Sequence, residues 1–231
     1  MKTWRVLIRA GRLGGMRAAL LIAALLALAI AAFFLWQGNG GAKSSLGGKM
    51  EALPYKSDQP VTRFARPEQV IDPTKFDYYA EIETSKGKIG IDLFENEAPI
   101  TVNSFVFLAL HRYFEGVVFH RVIPGFVAQT GDPTGTGMGG PGYQFGLEVT
   151  PKLNYDKKGL LGMARTMDPN SNGSQFFITY GPTPNLNQQY TIFGQVVEGM
   201  GVVERIAPTE GPQASRERDK ILSVKIFARS K

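Results

Sequence analysis

Residues 119–132 read FHRVIPGFVAQTGD. Apolar residues alternate with polar ones on both sides of a Pro-Gly pair, which predicts two short strands joined by a turn. Arg121 stands out because a guanidinium keeps its charge and presents five fixed donors, yet its sequence neighbours are mostly apolar. This stretch by itself allows a functional donor, a side chain that reaches out to solvent, or a partner for an acid such as Asp132.

A second stretch, residues 170–178, reads NSNGSQFFI and places an amide beside two aromatic residues. Together the two stretches resemble the cyclophilins, the cyclophilin-type peptidyl-prolyl cis-trans isomerases. The resemblance runs from about Tyr78 to Arg229, and a lone short motif would be far less specific than several long ones in one order. The other motifs in that order are GTGMGGPGY at 135–143, GLLGMART at 159–166 and FGQVVEGMGVVERI at 193–206.

Alternating apolar and polar residues and frequent turn signals predict an all-β domain. Residues 78–84 and 89–94 are predicted to form a hairpin, and strands are also predicted at 159–164, 174–180, 190–196 and 220–228. A helix is predicted from Pro99 to before Gly116, and a shorter one at 199–206. Many antiparallel strands with two helices are typical of a barrel. The resemblance implies a closed eight-stranded antiparallel barrel capped by the two helices.

Rotation about an X–Pro bond crosses a barrier near 20 kcal/mol without breaking a covalent bond. A catalyst therefore needs a dry pocket for the proline ring and a donor that favours the twisted state. The resemblance implies that Arg121 donates to the prolyl nitrogen, and that Gln129 holds the substrate backbone and steadies Arg121. It implies no cofactor and no metal.

The resemblance also implies a set of substrate-binding residues around that donor. The expected set is Phe126, Val127, Ala164, Arg165, Gln175, Phe177, Leu186 and Tyr190. The apolar members would line the proline pocket with Tyr190 at its rim, and residues 164–165 would meet the preceding substrate residues through backbone groups. Gln175 would border a neighbouring specificity pocket. From the residues alone, Phe126, Phe177 and Leu186 could equally be core.

Three positions depart from the pattern of many eukaryotic members. Val127 stands where a methionine is common, Asn185 where those members have tryptophan, and Tyr190 where they have histidine. Residues 164–172 are one residue longer, as in bacterial members. Because an asparagine lacks the indole donor, cyclosporin binding is expected to be weak.

Composition excludes several classes of protein. The chain has no cysteine, so disulfide scaffolds and thiolate metal sites are excluded. Its net charge of +6 comes from residues 1–50, which carry seven cations and no acid. The remaining residues have 19 cations and 20 acids, so a nucleic-acid partner is not expected.

The N-terminal segment predicts membrane attachment. Residues 1–17 are basic, and residues 18–36 form an unbroken run of 19 apolar residues, long enough for a helix to cross a bilayer. The cation bias places residues 1–17 in the cytoplasm and the catalytic domain outside. A cleaved signal peptide, which would make the protein secreted, is the alternative.

Residues 37–75 are expected to be a glycine-rich linker followed by a proline-containing arm, and residues 76–231 the isomerase domain. The expected function is isomerisation of X–Pro bonds in extracytoplasmic proteins as they fold. A non-catalytic module or chaperone that holds proline-containing segments is the alternative. A hydrolase is disfavoured, because the two histidines, His111 and His120, have no serine or cysteine motif to activate.

Overall fold

The computed structural model describes residues 49–231. Its nine strands are β1 (Glu51–Ala52), β2 (Phe76–Thr84), β3 (Gly87–Leu93), β4 (Arg121–Ile123), β5 (Val127–Thr130), β6 (Leu160–Met163), β7 (Phe176–Thr179), β8 (Ile192–Glu198) and β9 (Ile221–Ser230). Its α-helices are α1 (Pro99–Leu110) and α2 (Met200–Val203), and a 3-10 turn covers Pro184–Leu186. The domain, predicted to be all-β with two helices, has a mostly-β fold with few helices.

All nine strands belong to one antiparallel sheet with the order β1-β9-β2-β3-β8-β6-β7-β5-β4. The expected closed ladder of eight strands is therefore wrong, because hydrogen bonds between strands do not join the two ends of the sheet. An isolated bridge between Val118 and Lys220 links the chain just before β4 to the chain just before β9.

A loop residue occupies the edge of β4, which explains why the ladder stops there. β4 has only three residues, and its central residue, Val122, is hydrogen-bonded by Thr209 from a loop. The backbone N–H of Thr209 donates to the Val122 carbonyl over 3.0 Å, and the Val122 N–H donates to Thr209 Oγ1 over 2.7 Å. A loop residue thus satisfies the edge groups that another strand would otherwise have paired.

Helix α1 is the central buried element. Pro99 begins it, as predicted, and Glu148 accepts hydrogen bonds from the N–H groups of Ile100 and Thr101, which have no partner within the helix. All its residues from Thr101 to Leu110 are buried, so it packs on every side. The helix ends at Leu110, earlier than predicted. Helix α2 is also shorter than the predicted 199–206.

The arm, residues 49–75, lies against α1. Lys56 N–H donates to the Leu110 carbonyl over 2.7 Å, so the arm satisfies one of the carbonyls at the end of α1. The ring of Phe64 packs edge-to-face on Phe107, with centroids 4.8 Å apart. The backbone N–H of Phe64 donates to the Pro141 carbonyl over 2.7 Å, so the arm also reaches the glycine-rich loop.

A buried amide in α1 forms a second contact with the arm. Asn103 Oδ1 accepts from the N–H groups of Val70 and Ile71, and Asn103 Nδ2 donates to the Glu68 carbonyl. Strand β1, also in the arm, pairs with β9.

The predicted basic N-terminus and apolar segment, residues 1–17 and 18–36, lie outside the described residues. Between residues 49 and 231, no helix has the length and apolar character needed to cross a bilayer.

Candidate active site

The hairpin of β4 and β5 positions the predicted donor. Arg121 pairs directly with Gln129 across the two strands, and Val122 pairs with Ala128. Val122 and Ala128 are fully buried, so the alternation places Arg121 and Gln129 on the opposite face. The Arg121 side chain is 41% exposed, which places its charge at the surface and not inside the barrel core.

Phe177 and Gln175 enter the site from β7 and the residue before it. Phe177 pairs with Gln129 across β5 and β7, and it is buried. Gln129 Nε2 donates to Gln175 Oε1 over 3.1 Å. Gln175 Nε2 in turn donates to the carbonyls of Gly137 and Gly139, over 3.0 and 2.9 Å. The two amides therefore join the hairpin to the glycine-rich loop.

An apolar cluster, separate from the main core, lies beside Arg121. We call it the pocket cluster; its buried members are Val127, Tyr155, Leu160, Phe177, Leu186 and Ile192, and its partly buried members are Phe94, Phe126, Leu153, Ala164 and Tyr190. It brings together six of the eight predicted substrate-binding residues. The ring of Phe126 lies 5.9 Å from Arg121 Cζ, so the guanidinium sits at the edge of the cluster.

Tyr155 is a pocket-cluster residue that the sequence did not reveal. Its ring stacks on Phe177 with centroids 6.0 Å apart, and the Phe177 ring meets Tyr190 edge-on at 5.8 Å. Burial raises the pKa of the Tyr155 hydroxyl far above its usual value, so it stays neutral. Tyr155 lies in a loop without periodicity, which gave no signal of its place.

Arg165 is held against the segment that precedes β8. Its Nε donates to the Gln189 carbonyl over 2.7 Å, and its guanidinium lies 5.0 Å from the centre of the Tyr190 ring. The backbone N–H of Ala164 donates to the Gln175 carbonyl over 2.8 Å.

A cavity of about 550 Å³ opens next to the paired amides. Residues 137–144 of the glycine-rich loop form one wall, and residues 164–166 with Ser171 form part of the other. Gln129, Gln175, Ala164 and Arg165 all line it. Four of the predicted site residues therefore line one cavity.

Asp132 fixes the shape of the glycine-rich loop. Its side chain is fully buried, and its two carboxylate oxygens accept hydrogen bonds from the backbone N–H groups of Thr134, Thr136, Gly137 and Gly139. Burial by itself raises the pKa of this carboxyl, but the hydrogen bonds from Gly139, Thr134 and Gly137 outweigh it and bring the pKa to about 2. Asp132 is therefore committed to the loop and does not pair with Arg121.

The acid that does pair with Arg121 is Glu210. Glu210 Oε1 lies 3.2 Å from Arg121 Nε. Glu210 belongs to the loop between α2 and β9, far from the motif that contains Arg121, and no motif or periodicity indicates this pair. Gln129, which is expected to steady Arg121, donates its Nε2 to Gln175, and its Oε1 stays available as an acceptor.

The two histidines make no hydrogen bond with Arg121 or Gln129 within the described residues. Burial lowers the pKa of His120, although Asp132 opposes the shift, and neither ring nitrogen has a hydrogen-bond partner within residues 49–231. His111 Nδ1 is bonded to the Phe107 carbonyl in α1. Over the same residues, no group of three or more histidines and acids is placed to hold a metal ion.

The family model "Cyclophilin type peptidyl-prolyl cis-trans isomerase/CLD" matches residues 79–226. The chain belongs to the cyclophilin family. The peptidyl-prolyl cis-trans isomerase A of Mycobacterium tuberculosis (strain ATCC 25618 / H37Rv) is 47% identical over 160 residues, covering 62% of this chain and 87% of that protein. The isomerase ppi1 of Schizosaccharomyces pombe is 45% identical over 151 residues, covering 64% and 97%. The chain is accordingly a peptidyl-prolyl cis-trans isomerase.

Solved cyclophilin structures share the fold of this chain. A cyclophilin-type isomerase from Cryptosporidium parvum superposes with a TM-score of 0.61 at 37% identity, over 65% of this chain and 97% of the other. The same protein in the presence of the dipeptide Ala-Pro gives a TM-score of 0.60, also at 37% identity, over 63% and 96%.

Proposed function

We propose that this cyclophilin accelerates X–Pro rotation in extracytoplasmic polypeptides as they fold, with Arg121 donating to the prolyl nitrogen. The observation that carries the proposal is the position of the Arg121 guanidinium at the edge of the pocket cluster, 5.9 Å from the Phe126 ring. A proline ring bound on the cluster would place its amide nitrogen next to a permanent cation with several donors.

The barrier falls only if the donor interacts more strongly with the twisted amide than with the planar one. In the planar amide the nitrogen lone pair is delocalised, so it accepts no hydrogen bond. As the bond twists, the lone pair localises on the nitrogen, and a guanidinium N–H can donate to it. A donor already in place supplies this stabilisation without reorganising during the reaction.

The paired amides and the cavity would hold the rest of the substrate. Gln129 uses its Nε2 group on Gln175, which leaves its Oε1 free to accept from a substrate N–H. The adjacent cavity of about 550 Å³ is large enough for a substrate side chain near the X–Pro bond. The backbone of residues 164–165 borders the same cavity and can contact the substrate residues that precede the proline.

The extracytoplasmic location rests on the N-terminal sequence. Four arginines precede the apolar run at 18–36, which favours a cytoplasmic N-terminus and a catalytic domain on the other side of the membrane. Protease protection in sealed spheroplasts tests this: degradation of the domain by external protease is expected, and full protection would contradict it.

The enzymatic proposal is tested with the purified full-length chain in mild detergent. Cis–trans exchange of a short Ala-Pro peptide is measured by NMR exchange spectroscopy for the wild type and for Arg121→Ala. We expect the variant to lose at least about tenfold in rate while its circular dichroism is unchanged. A wild type that binds the peptide without accelerating exchange would instead be a holding module. An active Arg121→Ala would overturn the donor role.

A further inference from the structure

The loop between α2 and β9 is attached to the strand that carries Arg121. Thr209 bonds Val122 through its backbone N–H and its hydroxyl, at 3.0 and 2.7 Å. Val122 is the immediate neighbour of Arg121 on β4, and it is fully buried. The hydrogen bonds of Thr209 therefore hold the loop next to Arg121. Glu210 is the residue that follows Thr209.

The same loop is tied at several further points. Ser215 N–H donates to the Pro208 carbonyl over 2.7 Å, which closes the loop on itself. Asp219 Oδ2 accepts from Ala207 N–H over 2.8 Å, and Arg218 Nη1 donates to the Gly135 carbonyl over 2.6 Å. A loop held at both ends keeps Glu210 close to its partner at a small cost in conformational entropy.

The ion pair engages Nε of the guanidinium and not the terminal nitrogens. Glu210 Oε1 lies 3.2 Å from Arg121 Nε. The two terminal nitrogens of Arg121 carry four of its five N–H donors. A carboxylate on the Nε side attracts the guanidinium toward the loop and leaves the terminal nitrogens available to a substrate.

Arg121 needs such a partner. An arginine side chain has about 2 kcal/mol of rotamer entropy, and this one is 41% exposed. Gln129, on the facing strand, directs its Nε2 to Gln175, and within residues 49–231 the acid paired with the guanidinium is Glu210. Hydrogen bonding to the prolyl nitrogen requires one side-chain geometry. The rate of isomerisation falls when the guanidinium samples many other conformations.

We propose that Glu210 is a positioning residue, which holds the Arg121 guanidinium by its Nε side so that the terminal nitrogens face the bound X–Pro bond. The inference rests on the proposed donor role of Arg121. It extends the functional site to the loop at residues 207–219, which has none of the motifs by which the site was recognised.

The test compares Glu210→Ala and Glu210→Gln with a matched control, Glu204→Ala. Glu204 pairs with Lys158 at 2.9 Å and is 47% exposed, close to the 52% of Glu210, but its ion-pair partner is Lys158 and not Arg121. Because exposed ion pairs contribute modestly, we expect kcat to fall about two- to fivefold in Glu210→Ala and less in Glu210→Gln. The KM of the Glu210 variants should equal that of the wild type. The control, Glu204→Ala, should keep the wild-type kcat and KM.

Two further measurements separate positioning from a general effect on the fold. The side-chain Nε–H resonance of Arg121 should shift in Glu210→Ala and remain in place in Glu204→Ala. In an Arg121→Ala background, adding Glu210→Ala should have no further effect on the rate, since the group to be positioned is gone.

The outcomes distinguish this inference from the proposed function. Wild-type kcat in Glu210→Ala, together with an inactive Arg121→Ala, overturns the positioning role and leaves the donor role intact. A Glu210→Ala effect that persists in the Arg121→Ala background shows a structural role and also overturns it. If Arg121→Ala is fully active, both the donor role and the positioning role are wrong.

Discussion

Replacing Asp132 by asparagine should destabilise the domain in a way that depends on pH. The carboxylate Oδ1 accepts from the N–H and hydroxyl of Thr134, and Oδ2 accepts from the N–H groups of Thr136, Gly137 and Gly139. Asparagine has a single acceptor oxygen. If that oxygen serves the Oδ2 side, the asparagine NH₂ group faces the Thr134 N–H, and one covered donor loses its acceptor.

Two estimates of the cost agree. The pKa of Asp132 is about 2 in the folded state, against roughly 3.9 in an unfolded chain, and each unit corresponds to about 1.36 kcal/mol, so the ionised carboxylate contributes about 2.5 kcal/mol. Because a loop and not the deep core covers the carboxylate, this is an upper value. Independently, a buried donor left without an acceptor costs about 1–3 kcal/mol. We expect Asp132→Asn to lower the free energy of unfolding by about 2 kcal/mol at pH 7.

The assay is urea unfolding followed by near-ultraviolet circular dichroism of the tyrosines, since both tryptophans, Trp4 and Trp36, precede the domain. The folded-state pKa is depressed, so the contribution is complete above about pH 4 and is lost as the pH falls through about 2. The gap between wild type and variant should therefore narrow over that interval. A gap below about 0.5 kcal/mol at pH 7, or one that stays constant down to pH 2, would refute this reasoning.

Three other changes test the site. Arg121→Lys should lower kcat by about tenfold or more with the fold intact, since a compact ammonium lacks the planar fork; near-wild-type exchange of the peptide would show that charge alone suffices. Gly162→Ala should cost about 1–3 kcal/mol in urea unfolding and raise KM, because its Cβ would collide with the Phe177 ring and the Tyr155 hydroxyl; an unchanged midpoint and KM would contradict the packing described. Asn185→Trp should tighten cyclosporin binding, measured by calorimetry, by restoring an indole donor, and submicromolar inhibition of the unaltered chain would show that the donor is not needed.

Strict local patterns made the hairpins of this domain predictable. The alternation at residues 78–84 and 89–94 matches β2 and β3, and the Pro-Gly break at residues 124–125 correctly separates β4 from β5. In each case the pattern that identifies the strand also fixes which side chains share a face. The adjacency of Arg121 and Gln129 follows from that alternation.

The contacts that the sequence did not indicate are made by segments that lack hydrophobic periodicity. Glu210 and Tyr155 lie in irregular loops, and no local preference says which strand a loop residue will reach. β1 has only two residues, too few for a pattern, and its pairing with β9 depends on the tertiary fold. The sheet ends at β4 because Thr209, a loop residue, bonds the edge backbone groups of Val122. No local pattern indicates that contact either.

The arm extends the folded domain beyond the stretch that the family model matches. The family match begins at residue 79, whereas the Asn103 amide finds its partners at residues 68–71 and the Phe107 ring finds one at Phe64. A chain that began at residue 79 would leave the buried Asn103 side chain without its hydrogen-bond partners. It would also remove Phe64, which packs on the Phe107 ring. The folding unit is thus larger than the stretch that the family model matches, and a recombinant domain should begin no later than residue 49, which keeps β1 paired with β9.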